Sequence, residues 1–481
     1  MQAITILLPE CALLMIIILL FLQCLRPLEG NVAPYPKTSW LPLAAASIVI
    51  IALASLSNVG LLFYGTYRID ALSQFFKLAI ALGFFVVILN SAKPTEVEEY
   101  QRPDYLLFLA LSTWGLMLLA SAVEMVTMYV ALEISSYSLY VLIPLRTHQD
   151  KHAAEAGIKY ILFGALATAL ALYGYSYVLA TRHSSFIADL AHFQWHWSSS
   201  PMAVLGLGLF LCGMFFKLAL FPFHFWCPDL YQGASNETAT FAATLPKLGA
   251  VVALVRFGTL LHSGQELTTI IAIFGALSMT LGNLCALAQR DLKRLLGYSS
   301  IAHAGYITLG LITGTPLGLA GASFYSLVYL LMNQTIFWVI CRLAPDGRNL
   351  TINDLDGLFR RDPALALILA VSAFALLGLP PTAGFMAKFF LLAAAWNHGY
   401  NWLVVVAVLN TAISLYYYLS IVRHAYTKGE DPKVSDIQYP NTTPMPILLL
   451  GGALATILLL IGIMPGPIYD FVLHAGNQLL P

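Results

Sequence analysis

Long apolar runs separated by short polar segments make up almost the whole chain. A helix needs about 20 mostly apolar residues to cross the hydrocarbon core of a bilayer, and fourteen runs come close to or exceed that length. The predicted spans, numbered in chain order, cover 4–22, 41–63, 71–90, 104–121, 123–143, 156–179, 201–225, 239–260, 267–287, 294–313, 317–340, 364–394, 401–422 and 443–465. The pattern therefore predicts an all-α polytopic membrane protein with about 14 transmembrane helices.

Composition supports lipid as the solvent of this fold. Of the 481 residues, 59% are hydrophobic and only 10% are charged, whereas soluble domains carry about 25% charged residues. The 24 basic and 24 acidic residues balance, which gives no indication of a nucleic-acid partner. Span one lacks the basic start and small-residue cleavage pattern of a signal peptide, so we predict that it is retained.

Metal-binding patterns are weak in this sequence. The cysteines form no C-x-x-C pair and are predicted to be small buried side chains. They are Cys11, Cys24, Cys212, Cys227, Cys285 and Cys341. Two loop pairs, His148/His152 and His192/His196, have i,i+4 spacing but no carboxylate or cysteine partner in register. We therefore interpret them as solvated loop residues and predict no metal site.

Basic residues in the loops predict the orientation of the chain. Even-numbered loops and the span ends that border them hold three, Arg68, Arg182 and Arg256, and odd-numbered loops with their bordering span ends hold sixteen. The sixteen are Arg26, Lys37, Lys93, Arg102, Arg146, Lys151, Arg290, Lys293, Arg294, Arg342, Arg348, Arg360, Arg361, Arg423, Lys428 and Lys433. Because Lys and Arg concentrate in cytoplasmic loops, the odd-numbered loops are predicted to be cytoplasmic. Both termini are then predicted on the outer or periplasmic side of the membrane.

The other five basic residues are all lysines inside predicted spans: Lys77, Lys159, Lys217, Lys247 and Lys388. Lys77, near the start of span three, is interpreted as a residue whose long stem lets its ammonium reach the interface. Lys159 is either an interfacial anchor or a functional group. Desolvated lysine can release its proton and arginine cannot. Lys217, Lys247 and Lys388 are therefore predicted to change protonation state within the membrane.

Three further ionisable residues join these lysines as candidates. Glu133 lies near the middle of span five, and His303 lies within span ten beside two serines. His224 follows Pro222 at the end of span seven. Intramembrane ionisable groups usually mark ion or proton pathways, so these residues predict a proton relay with the lysines. Structural pairing of Glu133 and simple packing of His303 remain the alternatives.

Two predicted spans carry helix breakers at membrane depth. In span seven Lys217 precedes Pro222, and in span twelve Pro380 and Pro381 precede Lys388. Each span is fourth in a set of five, and an odd number of helices forces two such sets into opposite topologies. Paired interrupted helices at matching positions point to a transport site, although proline is also common in membrane helices. The predicted segments are 1–103 with three helices, an inverted pair of five-helix repeats at 104–262 and 263–425, and a C-terminal helix in 426–481.

Four motifs carry a resemblance to a known family: FPFHFWCPDLYQGA, DLKRLLGYSSIAHAGY, DLDGLFRR and GLPPTAGFMAKF. Together they resemble the antiporter-like subunits of respiratory complex I and of Mrp-type cation/proton antiporters, across nearly the whole chain. Within that family the chain is most similar to N-type subunits of NADH:quinone oxidoreductase. Lys388 stands where M-type subunits usually have glutamate, and the chain ends too soon after span fourteen for the lateral helix of L-type subunits.

The resemblance implies a proton channel in a bacterial inner membrane, coupled to electron transfer from NADH to quinone in partner subunits. It implies that Glu133 and Lys217 form a pair, that Lys247 is the central relay, and that Lys388 leads to the opposite side. His303 and Lys159 would lie between them. NADH, flavin, iron–sulfur clusters and quinone would belong to the partners, with no cofactor in this chain. An Mrp-type Na⁺/H⁺ antiporter subunit and a structural membrane subunit are the alternative functions.

Overall fold

The computed structural model describes residues 5–25, 38–91, 97–146, 151–396, 398–427 and 445–479, and these residues are almost entirely helical. We number the longer helices in chain order. They are Leu8–Cys24 (α1), Leu41–Ala54 (α2), Ala71–Asn90 (α3), Arg102–Ser121 (α4), Met125–Leu142 (α5), Lys151–Arg182 (α6), Pro201–Leu218 (α7), Trp226–Gly233 (α8), Asn236–Phe257 (α9), Glu266–Leu287 (α10), Leu292–Leu311 (α11), Pro316–Leu343 (α12), Pro363–Leu377 (α13), Ala383–Ala395 (α14), Asn401–Tyr426 (α15), Met445–Ile463 (α16) and Gly466–Asn477 (α17). Single-turn helices cover Ile187–Leu190 and Leu358–Arg361, and 3₁₀ turns cover Phe63–Gly65, Glu99–Gln101, Gly258–Leu260 and Ile352–Leu355.

Each of the fourteen predicted spans overlaps one helix or, for span twelve, a broken pair of helices. Within the described ranges, nine helices are long and apolar enough to cross a membrane, or ten if α16 and α17, which are bent by 71°, count as one crossing. Helices α1, α2, α13 and α14 are apolar but shorter. The polytopic helical fold is therefore confirmed, whereas the number of crossings and the four segments stay predictions.

The predicted boundary of span two is wrong, because α2 ends at Ala54 instead of continuing to residue 63. Two short antiparallel strands follow, Gly60–Leu62 (β1) and Tyr67–Ile69 (β2), and they pair directly. Gly65 in the connecting turn has a φ of 88°, which glycine adopts without steric cost. Hydropathy missed this hairpin because its first strand, Gly60–Leu62, is as apolar as the helix before it. The predicted C-terminal segment contains two helices, α16 and α17.

Helices α9 and α12 form the centre of the structure, and the most apolar window of each is wholly buried. Helices α6 and α15 lie at the periphery, where only 33% and 39% of that window is buried. An apolar helix with no polar stripe is stable only where protein or lipid surrounds it on every side. Because Lys247 lies on α9, its side chain lies in the most enclosed part of the protein.

Two of the three arginines assigned to the even-numbered loops are paired with one carboxylate, and one of them, Arg256, lies in the last turn of α9 instead of in a loop. The guanidinium of Arg256 is buried and donates to both carboxylate oxygens of Asp70, each at 3.0 Å, and also to the carbonyl oxygen of Ala120. Arg68 approaches Asp70 at 3.5 Å. Asp70 also caps α3 by accepting from the Ser73 N–H. The ion pair and these hydrogen bonds thus compensate the positive charge of Arg256. Arg256 is an exception to the rule that Lys and Arg concentrate on the cytoplasmic side.

The interpretation of Lys77 as an interfacial side chain is wrong. Lys77 is fully buried, and its Nζ lies 2.5 Å from Glu10 Oε1 on α1. The same carboxylate oxygen accepts from the Tyr67 hydroxyl at 2.6 Å. A buried carboxylate offers Lys77 the counter-charge that the interface would otherwise have supplied. Several predicted loop residues lie outside the described ranges: Arg26, Lys37, Lys93, His148, Lys428 and Lys433.

Candidate functional site

The first broken helix places Lys217 at its end. Helix α7 stops at Leu218 because Ala219 takes a left-handed conformation with φ 62°. The next free backbone donor, the N–H of Phe221, is satisfied by the Ser278 hydroxyl on α10 at 2.9 Å. Backbone groups released at a break inside a membrane must find partners of this kind. The break therefore ends α7 one residue beyond Lys217 and leaves that side chain inside the protein.

The Lys217 ammonium is fully buried and has two hydroxyl partners. It donates to Ser136 Oγ at 3.0 Å and to the Tyr160 hydroxyl at 3.1 Å. Ser136 lies on α5 one turn after Glu133, so both residues face the same side of that helix. The two hydroxyls hold the ammonium between α5, α6 and α7.

Glu133 is close to this group without forming an ion pair with it. Its Oε1 accepts from the Thr168 hydroxyl on α6 at 2.6 Å, and among the described residues its Oε2 has no hydrogen-bond partner. A cavity of about 10 Å³ is lined by Glu133, Ser136 and Thr168, which is about the space that one water needs. In this structure the implied Glu133–Lys217 pair is therefore held apart, with Ser136 contacting the lysine.

Lys247 donates to one member of a cluster of three hydroxyl groups. Its Nζ forms a short hydrogen bond with Ser300 Oγ on α11. The same oxygen hydrogen-bonds to the Tyr231 hydroxyl at 3.0 Å and, over a short distance, to the Tyr329 hydroxyl. The Nζ also lies 5.7 Å from the centre of the Tyr329 ring. Helices α8, α9, α11 and α12 thus all contribute to the surroundings of the central lysine.

His303 lies one turn along α11 from Ser300 and has tyrosine partners on both nitrogens. Its Nδ1 is 2.6 Å from the Tyr325 hydroxyl, and its Nε2 is 3.2 Å from the Tyr418 hydroxyl. Tyr418 in turn forms a short hydrogen bond with Ser299. A neutral imidazole donates from one nitrogen and accepts at the other. His303 therefore lies within a continuous hydrogen-bonded chain, as a relay requires.

The second broken helix holds Lys388 in a corresponding way. Helix α13 ends where Gly378 takes a left-handed conformation with φ 86°. The end of α13 leaves the Leu377 carbonyl available, and Lys388 Nζ donates to it at 2.9 Å. The ammonium also lies 4.6 Å from the centre of the Tyr306 ring. Tyr306 is itself close to His303, with ring centres 6.1 Å apart.

The remaining two predicted site residues lie apart from this row. Lys159 pairs with Glu155 at 2.5 Å and with Asp229 at 2.6 Å, and its side chain is 36% exposed. Arg294 binds the other oxygen of Asp229 at 2.5 Å. This geometry favours the anchor interpretation of Lys159. His224 stacks on Phe225, and its Nδ1 has no hydrogen-bond partner among the described residues.

The partners of the five lysines divide them into two groups. Lys77 and Lys159 each contact a carboxylate. Across the described residues, no carboxylate oxygen lies within 4.0 Å of the nitrogens of Lys217, Lys247 or Lys388. Their acceptors are hydroxyls and one carbonyl. A buried ammonium without a counter-charge is costly, and these three lysines lack the carboxylate contact that Lys77 and Lys159 have.

Sequence reasoning missed most of the hydroxyl groups at this site. The missed ones are Ser136, Tyr160, Thr168, Tyr231, Tyr325, Tyr329 and Tyr418. Spacing could have found Ser136, because it lies one helical turn from Glu133. In the part of the chain that the structure describes, no group of three or more His, Cys, Asp and Glu side chains could hold a metal ion.

Known proteins with similar sequences support one family. A family model described as "NADH:quinone oxidoreductase/Mrp antiporter, TM" matches residues 122–414. NADH-quinone oxidoreductase subunit N 2 of Solidesulfovibrio magneticus is 57% identical over 99% of both chains. A chain of respiratory complex I from Thermus thermophilus, solved with bound aureothin, is 32% identical, with a TM-score of 0.79 over 98% of this chain and 99% of that one.

A chain of the Mrp complex from a Dietzia species has a TM-score of 0.83 over 99% of this chain and 97% of its own. At 19% identity, that likeness shows the shared fold alone. The family model spans more than half of the chain, and the Solidesulfovibrio relative aligns along nearly all of it. The chain therefore belongs to the family of transmembrane subunits found in NADH:quinone oxidoreductases and Mrp antiporters.

Proposed function

We propose that this chain is the N-type membrane subunit of a NADH:quinone oxidoreductase and that it translocates protons. The single observation that supports the proton pathway is the set of partners of Lys217, Lys247 and Lys388. All three are buried, and all three are held by neutral oxygen atoms. Neutral acceptors can hold an ammonium and still let its proton leave. A carboxylate in contact would instead favour the charged form and keep the proton on the lysine.

The pathway begins with Glu133 and Lys217. When the Glu133 carboxylate is close, its negative charge favours the protonated form of Lys217. When that charge is withdrawn or neutralised, desolvation favours the neutral amine and the proton leaves. Redox chemistry in partner subunits changes the field along the row and thereby drives this step. The chain's own part is to bind the proton at Lys217 and to pass it toward Lys247.

The second half of the pathway runs from Lys247 to Lys388. Ser300 and the tyrosines around it provide hydroxyl groups that both donate and accept. His303 continues this chain of polar groups toward Tyr306, over whose ring the Lys388 ammonium lies. At the break after Leu377 the proton reaches Lys388, from which it leaves on the other side of the membrane.

The remaining parts of the reaction belong to other chains. Electrons pass from NADH through flavin and iron–sulfur clusters to quinone in partner subunits, and this chain supplies no redox centre. Its partners are the neighbouring antiporter-like and quinone-module membrane subunits. The charge asymmetry of the loops supports a location in the bacterial inner membrane with both termini on the periplasmic side.

Substitution of Lys217 and Glu133 tests this function in the assembled complex. We expect Lys217→Ala and Glu133→Ala to lower the number of protons translocated per NADH oxidised in sealed vesicles. Lys217→Arg is the matched variant that separates charge from proton transfer. Arginine keeps the positive charge of the lysine but does not release its proton. A normal ratio with Lys217→Arg would show that the residue carries no proton, and a normal ratio with both alanine variants would refute the pathway.

The two alternative functions make different predictions. A scaffold subunit would hold its intramembrane lysines in complete ion pairs, whereas among the described residues a carboxylate contacts Lys77 and Lys159 but none of the other three lysines in the predicted spans. An Mrp-type subunit would function without redox chemistry. Purification of the native complex decides between them, because we expect this chain to copurify with NADH:quinone oxidoreductase activity. Sodium-dependent antiport without NADH oxidation would refute the proposal.

A further inference from the structure

The hydroxyl group of Thr168 on α6 donates its proton to a neighbouring helix. Its acceptor is the carboxylate of Glu133 on α5, at 2.6 Å. Several other hydroxyls in the membrane helices donate instead to a carbonyl oxygen of their own helix, three or four residues earlier. Examples are Thr113, Ser138 and Thr181. Such backward hydrogen bonds are the usual local alternative for serine and threonine within a helix, and Thr168 binds a carboxylate in place of one.

Ser136 has the opposite role beside the same carboxylate. Its hydroxyl donates to the Leu132 carbonyl oxygen at 2.9 Å and accepts from the Lys217 ammonium at 3.0 Å. A hydroxyl carries a single proton, so Ser136 has none left to donate to Glu133. Thr168 therefore binds the anion of this group, and Ser136 binds the cation.

The Glu133 carboxylate has space to change its partner. Its Oε2 has no hydrogen-bond partner among the described residues, and the cavity of about 10 Å³ is lined by Glu133 together with both hydroxyl residues. A buried carboxylate needs donors from within the protein or from ordered water. Lys217 contacts α5 one turn away from Glu133, at Ser136. Thr168 and Lys217 are thus alternative donors for the same carboxylate.

We propose that Thr168 is a positioning residue of the proton pathway, because it holds the Glu133 carboxylate away from Lys217. This role rests on the proposed function, in which withdrawal of that carboxylate lets Lys217 release its proton. The hydrogen bond from Thr168 stabilises the withdrawn position. A hydrogen bond to a charged acceptor is strong enough to shift such a balance about tenfold or more. Without this bond the carboxylate returns to Lys217, which then keeps its proton.

The position of the carboxylate can be tested directly by cryo-electron microscopy of the intact complex. Thr168→Val removes the hydroxyl but keeps the branched shape of the side chain, and we expect the Glu133 carboxylate to move to 4.0 Å or less from the Lys217 nitrogen. Thr168→Ser restores the donor and should restore the wild-type arrangement. Thr181→Val is the matched control, because the Thr181 hydroxyl donates to carbonyls of its own helix. A carboxylate that stays apart from Lys217 in Thr168→Val would overturn the proposal.

Proton translocation in sealed vesicles gives the second measurement. We expect Thr168→Val to lower the proton-to-NADH ratio toward the value of Lys217→Ala, and we expect Thr168→Ser and Thr181→Val to keep the wild-type ratio. A loss in Thr168→Ser as large as that in Thr168→Val would refute the role of the hydroxyl.

The alanine variants separate this role from the pathway itself. If Lys217→Ala and Glu133→Ala lower the ratio while Thr168→Val keeps it, the pathway stands and the role of Thr168 is refuted. If all three variants keep the wild-type ratio, the pathway is refuted and the role of Thr168 with it.

Discussion

Gly384→Ala is the sharpest test of the second broken helix, because Gly384 lies where α14 packs directly against α13. A Cβ on this residue would lie 1.8 Å from the Ala375 carbonyl oxygen and 3.1 Å from Met332 Sδ. Ordinary van der Waals contact begins at 3.4 Å, so the two half-helices would have to separate by the difference, 1.6 Å. The closest atom belongs to the backbone, which cannot rotate away as a flexible side chain would.

This displacement reaches the lysine of the same helix. Lys388 lies one turn beyond Gly384, and its Nζ is 2.9 Å from the Leu377 carbonyl oxygen on the other side of the break. A shift of that size along the contact stretches the distance to roughly 4.5 Å, which is no longer a hydrogen bond. Overpacking alone also destabilises a protein by about 1–3 kcal/mol. We therefore expect Gly384→Ala to lower both the proton-to-NADH ratio and the melting temperature of the complex.

The assay follows acidification of inverted membrane vesicles while NADH oxidation is recorded in parallel. Gly452→Ala is the matched control, because a Cβ at Gly452 has no atom within 4 Å. We expect the control to retain the wild-type proton ratio and melting temperature. If Gly384→Ala matched Gly452→Ala in both measurements, the close packing at the break would not hold Lys388 in place.

Further substitutions test the lysines and the buried ion pairs. Lys247→Arg should lower the proton-to-NADH ratio in a complex that still assembles, because a guanidinium keeps its proton; an unchanged ratio would exclude Lys247 from the path. Arg256→Met should destabilise the full chain in detergent by about 3–5 kcal/mol, and Asp70→Asn in the same chain should restore part of that loss. Burial alone would raise the pKa of Asp70, but Arg256 holds that pKa below its usual range. The stability from this pair should therefore be present at neutral pH and be lost as the pH falls through that pKa, which thermal unfolding across pH measures. Lys77→Met should destabilise by a similar amount, and Lys77→Met with Glu10→Gln by less; equal losses would mean that the two residues are not coupled.

Hydropathy and residue type predicted the features of the site that are rare in membrane helices, which are the buried lysines and the helix breaks. Lysines inside apolar runs are few, so Lys217, Lys247 and Lys388 could be selected before any contact was known. The breaks near Lys217 and Lys388 were also predictable, because proline and glycine interrupt helices through backbone sterics. Most helices of the structure overlap the predicted spans because a bilayer requires apolar runs of about 20 residues.

Partners could not be predicted, because they depend on the rotation and packing of helices that are distant in sequence. Lys77 and Glu10 lie on different helices, and no periodicity connects them. Nor does any pattern predict that Thr168, rather than Lys217, contacts Glu133. The tyrosines escaped notice for another reason, since a hydropathy scale scores their rings and hides their hydroxyl groups.

The hydroxyl chain around His303 has a consequence for how often it can work. Tyr325, His303, Tyr418 and Ser299 are connected by successive hydrogen bonds, and each member both donates and accepts. When a proton enters at one end and another leaves at the far end, every hydrogen bond in the chain is left pointing the opposite way. A second proton cannot follow in the same direction until each hydroxyl has rotated and the imidazole has exchanged its tautomer. If protons follow this path, as proposed, one proton passes for each reorientation of the chain, so each passage is a separate step and the flow is not continuous.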